Sequence, residues 1–176
     1  MPRLVTAGVP SLMGGNIGLP ILGQEPLPEG GVYVRELSSY QIDLTQSLDC
    51  DVAVLLNITP DHLDRYNGFD GYVASKARLF AMQSAGHVAI IATEDEPSRT
   101  IAHSLARDIV KATSTAVDPA AQLGWPALQG PHNAQNAAVA IAVALARDIS
   151  DDDIFPALAS YASLPHRMQA VRELHG

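Results

Sequence analysis

Short, nearly continuous apolar runs alternate along this chain with longer stretches whose apolar residues recur every three or four positions. Residues 32–37 and 52–58 read as strands, the second apolar almost throughout, and 87–92 and 109–113 read the same way. Runs without polar alternation suit strands covered on both faces, as in a parallel sheet. Between them Val73, Ala77, Leu79 and Phe80 recur near helical spacing and predict a helix over 72–83. Pro97 at the first helical position predicts a second helix continuing over 98–107. An Ala-rich apolar helix is expected over 132–148. A further helix should follow, capped by Ser150, with Asp151, Asp152 and Asp153 in its first turn, where acidic side chains suit the helix dipole. Strands alternating with helices imply right-handed βαβ units. The expected fold is therefore α/β, a mostly parallel sheet with helices on both faces.

The pattern is less regular towards the ends. Residues 3–7 look like the last turn of a helix with Gly8 just beyond it. A short strand over 9–13, a tight loop over 14–18, the start of a short helix over 19–22 and a Pro/Gly-rich connection over 24–31 are expected next. Residues 116–129 read as irregular, 164–167 as a loop and 168–174 as a last strand.

Composition narrows the class. A chain of 176 residues suits one well-packed domain, and a hydrophobic fraction of 47% argues against disorder. A net charge of −8 makes nucleic acid and anionic membrane poor partners. No apolar run approaches the length that spans a bilayer, and no signal peptide is visible, so a cytoplasmic protein is expected. A monomer is expected as well. The single cysteine, Cys50, excludes a disulfide within the chain and reads as a small buried side chain.

The candidate chemistry gathers where strands end. In open α/β sheets ligands bind beyond the carboxyl ends of the strands. Glu36 closes one run and His62 follows another, flanked by Asp61 and Asp64. A carboxylate and an imidazole there can hold a magnesium ion or position a proton, although an exposed strand-end carboxylate and an ordinary loop histidine would look the same. Lys76, on the following helix, is either a solvated charge or a group acting on phosphate. Gly14-Gly15-Asn16-Ile17-Gly18 fits neither G-x-G-x-x-G nor G-x-x-x-x-G-K-[ST], so it reads as a turn that lets backbone approach a ligand, with Asn16 as a polar contact. Asn133 and Asn136 lie near one face at the start of an apolar helix. Asn133 could serve as a cap, whereas Asn136 is harder to explain that way. Arg167 alone is a surface charge or a nucleotide clamp.

Taken together and in this order, these segments resemble the Mur ligases, the ATP-dependent amide ligases of peptidoglycan synthesis. The segments are Gly14–Gly18, Glu36-Leu37-Ser38-Ser39-Tyr40-Gln41, Asn57-Ile58-Thr59-Pro60-Asp61-His62-Leu63-Asp64-Arg65-Tyr66, Lys76–Phe80, Gly130–Ala137 and Leu164–Arg167. The first two favour the branch of the family that joins D-glutamate to UDP-N-acetylmuramoyl-L-alanine. The resemblance implies ATP and Mg2+ as cofactors. It also implies catalytic and metal-holding roles for Glu36, His62 and Lys76, the lysine as a carbamate. Substrate contacts fall to Asn16 and Ser38, and nucleotide contacts to Asn133, Asn136 and Arg167. It implies a two-step reaction through an acyl phosphate.

Against the family's three-domain pattern, residues 1–167 are expected to form the central ATP-binding domain without its phosphate loop. Residues 168–176 would begin the connection to a C-terminal domain. A sheet truncated at its N-terminal edge, and no turnover by the chain alone, are expected to follow. Another Mur-type or folylpolyglutamate ligase segment, or a non-catalytic nucleotide-binding remnant, are the alternatives.

Overall fold

Every residue of the central strand from Ala89 to Ala92 is essentially removed from solvent, and the fold is organised around it. The computed structural model describes residues 8–20 and 23–162. Within them the strands run parallel in two groups. β1 (Ser11–Gly15) pairs with β2 (Val32–Glu36), and β4 (Val88–Ala92) lies between β3 (Val52–Leu55) and β5 (Val110–Ala112). The helices are α1 (Ser39–Leu44), α2 (Phe69–Ala81), α3 (Glu96–Ser104), α4 (Pro119–Leu123), α5 (Pro131–Leu145) and α6 (Asp151–Ala159). No described helix is long and apolar enough to cross a membrane.

Alternation along the strands divides the interior into two cores. Ile90 and Ala92 join Ala137, Val139, Ile154 and Leu158 from α5 and α6. Ala89 and Ile91, with Ala53 and Leu55 of β3, meet Tyr72 and Phe80 of α2 and Ile101 and Ala102 of α3. The sheet therefore carries helices on both faces, as the unbroken apolar runs predict. Each fully buried isoleucine contributes about 1.5–3 kcal/mol.

The β1–β2 pair is less covered: Met13 and Tyr33 are each about two-fifths exposed. Among the described residues no strand hydrogen bond joins β2 to β3. The two groups are tied by helices. The Ser75 hydroxyl of α2 donates to Asp43 Oδ1 at 2.7 Å and to the Ser39 carbonyl at 3.2 Å, and Arg78 Nη2 donates to the Thr45 carbonyl at 3.3 Å.

Several boundaries differ from the sequence expectation. Gly14 and Gly15 complete β1 instead of forming the loop, which begins at Asn16. Gly15 has φ +123°, and a Cβ there would stand 2.2 Å from the Glu36 carbonyl oxygen, so only glycine allows this approach. Leu19 makes a bridge to Gly14, and residues 21–22 lie outside the described residues, as do 3–7 and 168–174. β3 stops at Leu55, three residues early, because the chain turns towards Asp95 and Gln135. The helix expected from 72 starts at Phe69. That expected over 98–107 runs from Glu96 to Ser104, with Asp95 capping it and Pro97 in its second position. The stretch 116–129 holds α4 and a short 3-10 turn, Pro126–Leu128. Ser150 takes the cap position of α6, but its hydroxyl donates to Asp153 Oδ2 at 2.9 Å. Cys50 is half-buried, and burial raises its thiol pKa.

Candidate active site at the carboxyl ends of the strands

Strand register aligns the carboxyl ends of the strands within each group. Gly15 lies opposite Glu36, Leu55 opposite Ile91, and Ala92 opposite Ala112. The loops leaving these ends carry Asn16, His62, Glu94, Asp95 and Ser114. Asn16 and Glu36 meet directly, the Asn16 N–H donating to the Glu36 carbonyl at 2.8 Å, and both side chains are exposed.

His62 sits in the left-handed region at φ +50°, a conformation uncommon for a residue with a side chain. Asp61 holds it there. Asp61 Oδ1 accepts the His62 N–H at 2.8 Å, and its Oδ2 lies 3.5 Å from His62 Nε2. The imidazole is packed in an aromatic group. Its centroid is 4.9 Å from that of Tyr40 and 6.2 Å, edge-on, from that of Tyr72. Tyr66 completes the group, 5.5 Å from Tyr72 and 6.2 Å from Tyr40. Lys76 Nζ stands 5.1 Å from the Tyr72 ring centre, and the Arg65 guanidinium lies 4.5 Å over Tyr40. Cations favour such positions over the electron-rich ring face.

His62 and Lys76 therefore share Tyr72 as a neighbour. Tyr40, four residues beyond Glu36, ties the end of β2 to His62. Ser38 is engaged locally: its hydroxyl caps α1 by accepting the Gln41 N–H at 3.3 Å, while Gln41 Oε1 accepts the Ser38 N–H at 2.9 Å, a capping box.

Asn133 and Asn136 stand at the start of α5. Asn133 is its third residue, and its Nδ2 donates to the Gln129 carbonyl at 3.0 Å, while Gly130 occupies the cap; Asn136 is exposed. An open cleft of about 500 Å³ lies beside this helix start, lined by Ser114, Val117, Pro119, Gln122, Pro131 and Ala134. Glu94 borders it. Hydrogen bonds from Ser114 hold the Glu94 carboxyl below its ordinary pKa, against a small opposing effect of burial. Arg167 lies outside the described residues.

Sequence reasoning missed the aromatic group and the polar residues behind it. Three of the chain's five tyrosines, Tyr40, Tyr66 and Tyr72, fall in or beside the motif segments, a signal that was available. Asp95 and Gln135, which reach backbone far away in sequence, gave none.

Residues 12–126 match the Mur ligase middle domain. The chain is 61% identical, over 173 residues and 98% of its length, to UDP-N-acetylmuramoylalanine–D-glutamate ligase of Sphingopyxis alaskensis, covering 40% of that protein. It is likewise 61% identical over 98% of its length to the enzyme of the same name from Zymomonas mobilis, covering 39% of it. The chain thus spans about two-fifths of the length of these curated relatives. The crystal structure of MurF from Acinetobacter baumannii superposes with a TM-score of 0.69 over 97% of this chain and 44% of that one, at 20% identity, a likeness of fold. On the match over residues 12–126 and these relatives, the chain belongs to the Mur ligase family.

Proposed function

We propose that this segment serves the ATP-dependent joining of D-glutamate to UDP-N-acetylmuramoyl-L-alanine in peptidoglycan precursor synthesis. The observation that carries the reading is its 61% identity, over nearly the whole chain, to enzymes named for D-glutamate ligation. His62 and Lys76 gathered on Tyr72 at the strand ends give that likeness a chemical basis. In this reading the substrate carboxylate attacks the γ-phosphate of ATP, releasing ADP and forming an acyl phosphate. The amine of D-glutamate then displaces phosphate and forms the amide. A reaction that consumes ATP favours the cytoplasm as its setting.

Carboxylate and triphosphate repel each other, and magnesium, when bound, supplies the charge neutralisation that lets them approach. The residues fit such an ion in part. Among the described residues no group of three or more His, Cys, Asp or Glu side chains could hold a metal unaided. Magnesium commonly takes one or two protein ligands and completes its shell with water and substrate phosphate. Glu36 and His62 would be those ligands, and a carbamate on Lys76 would add the oxygen donors magnesium prefers.

Asn16, beside Glu36, would contact the muramoyl substrate. Ser38, the cap of α1, would contact that substrate as well. Asn133, Asn136 and Arg167 would face the nucleotide, with the cleft beside α5 open to its base. Tyr40 and Tyr72 flank the imidazole, which stays open to solvent on its remaining side and so can meet substrate there.

The test is a chimera in which this chain replaces the matching 173 residues of the S. alaskensis enzyme. D-glutamate-dependent ADP formation is expected, with a loss of about 100-fold or more in Lys76→Ala and His62→Ala chimeras. A folded chimera without turnover, or full activity in either variant, overturns the reading.

A further inference from the structure

Gln135 is buried on a helix face otherwise made of Ala134, Ala137, Ala138 and Val139. A buried amide without a partner costs about 1–3 kcal/mol, so its position requires an acceptor. That acceptor is distant. Gln135 Nε2 donates to the Leu56 carbonyl at 2.7 Å, across 79 positions of sequence. Two residues on, the Ile58 N–H donates to Asp95 Oδ2 at 3.4 Å, across 37 positions. Asp95 is itself fixed as the cap of α3, accepting the Ser98 N–H at 2.8 Å and the Ser98 hydroxyl at 2.9 Å, and Ser98 is fully buried. Both bonds fall just past the end of β3, where the strand ladder no longer holds the chain. They bracket Asn57, and Ile58 is buried immediately after it. From that anchored point the chain runs to Asp61 and His62 in four residues, and those four are exposed from Thr59 onward.

We propose that Gln135 and Asp95 are positioning residues for His62. They clamp the backbone on both sides of Asn57, so that the first turns of α5 and the exit of β4 set where the His62 loop begins. Its catalytic meaning rests on the proposed function, in which His62 faces the metal and α5 faces the nucleotide. Gln135 lies between Asn133 and Asn136 in sequence, so the helix start offered to the nucleotide and the root of the metal-facing loop are mechanically one piece. A nucleotide that shifts α5 thereby moves the imidazole as well.

The test uses the isotope-labelled chain without nucleotide or metal, so it is decided even if the chain binds no ATP. Gln135→Met keeps the length of the side chain and removes its donor. The Ile58 amide keeps Asp95 as its acceptor, but with the Leu56 arm released the root of the loop opens more often, and hydrogen exchange of that amide is expected to accelerate about tenfold, the scale of one lost buried hydrogen bond. The backbone signals of residues 57–64 and the His62 ring signals should move, while those of His87 and His103 stay. A merely structural role for Gln135 would lower the melting temperature and leave the His62 ring signals in place. Should Gln135→Met fail to fold, Asp95→Asn tests the other arm. It keeps the cap on Ser98, weakens the acceptor for Ile58, and should move the same signals. Unchanged signals over 57–64 in a folded variant of either kind overturn the proposal.

Discussion

Replacing Gly71 by alanine should destabilise this protein, although helix propensity alone predicts the opposite. Gly71 is the third residue of α2, and alanine in place of glycine within a helix gains about 1 kcal/mol. Here a Cβ would stand 2.1 Å from the Tyr66 carbonyl oxygen and 3.2 Å from its carbonyl carbon. To reach a tolerable 3.0 Å the Tyr66 peptide must retreat by about 1 Å. It belongs to the segment that also carries His62 and Arg65, and its ring packs on Tyr40 and Tyr72. Overpacking of this kind costs about 1–3 kcal/mol and outweighs the propensity gain. The expected net is a loss of about 1–2 kcal/mol, read as a lowered urea midpoint at constant slope. The His62 ring signals should move with it, because Tyr66 and His62 share their neighbours. A variant about 1 kcal/mol more stable than the parent, with His62 unmoved, would rule out the tight packing of this loop on α2.

Other outcomes follow from the same geometry. Ile90→Ala empties a fully enclosed position of the central strand and should cost about 3 kcal/mol by urea denaturation. Ser75→Ala leaves Asp43 without its 2.7 Å donor between α1 and α2. It should cost about 1–2 kcal/mol and move the signals of Ser39 and Tyr66, checked by the same melt and by NMR. At the opposite end of the sheet, Ser84 and then His87 hydrogen bonds hold the Asp49 carboxyl at a pKa of about 2, below its ordinary 3.8. A depressed carboxyl stabilises the fold above its unfolded pKa, and that contribution is lost as pH falls from about 4 towards 2. Asp49→Asn should therefore lower the melting temperature near neutrality and flatten its dependence on pH in that window.

The parts of the fold legible in the sequence are those buried on two faces. β3, β4 and α5 announce themselves because no position in them can be polar without a reason. β1 was misplaced because Gly14 and Gly15 carry no side-chain pattern. α1 was missed because its first three residues lie inside a motif, although Ser38 and Gln41 stand at the spacing of a capping box. α4 was hidden between Pro119 and Gly124, residues that usually mark loops. At the site, His62, Glu36 and Lys76 stood out by chemical type and strand-end placement. What holds His62 did not: Asp95 and Gln135 act through backbone atoms 37 and 79 residues away, a pairing set by tertiary structure alone.

In the proposed function His62 stands beside a divalent cation that accompanies ATP. The direct measurement is paramagnetic broadening in the chimera with labelled histidines, with Mn2+ and ATP added in place of Mg2+. The His62 ring signals should disappear at manganese levels that leave His87, at the far end of the sheet, sharp. Equal broadening of both, or a sharp His62 in a chimera that turns over, would contradict the claim.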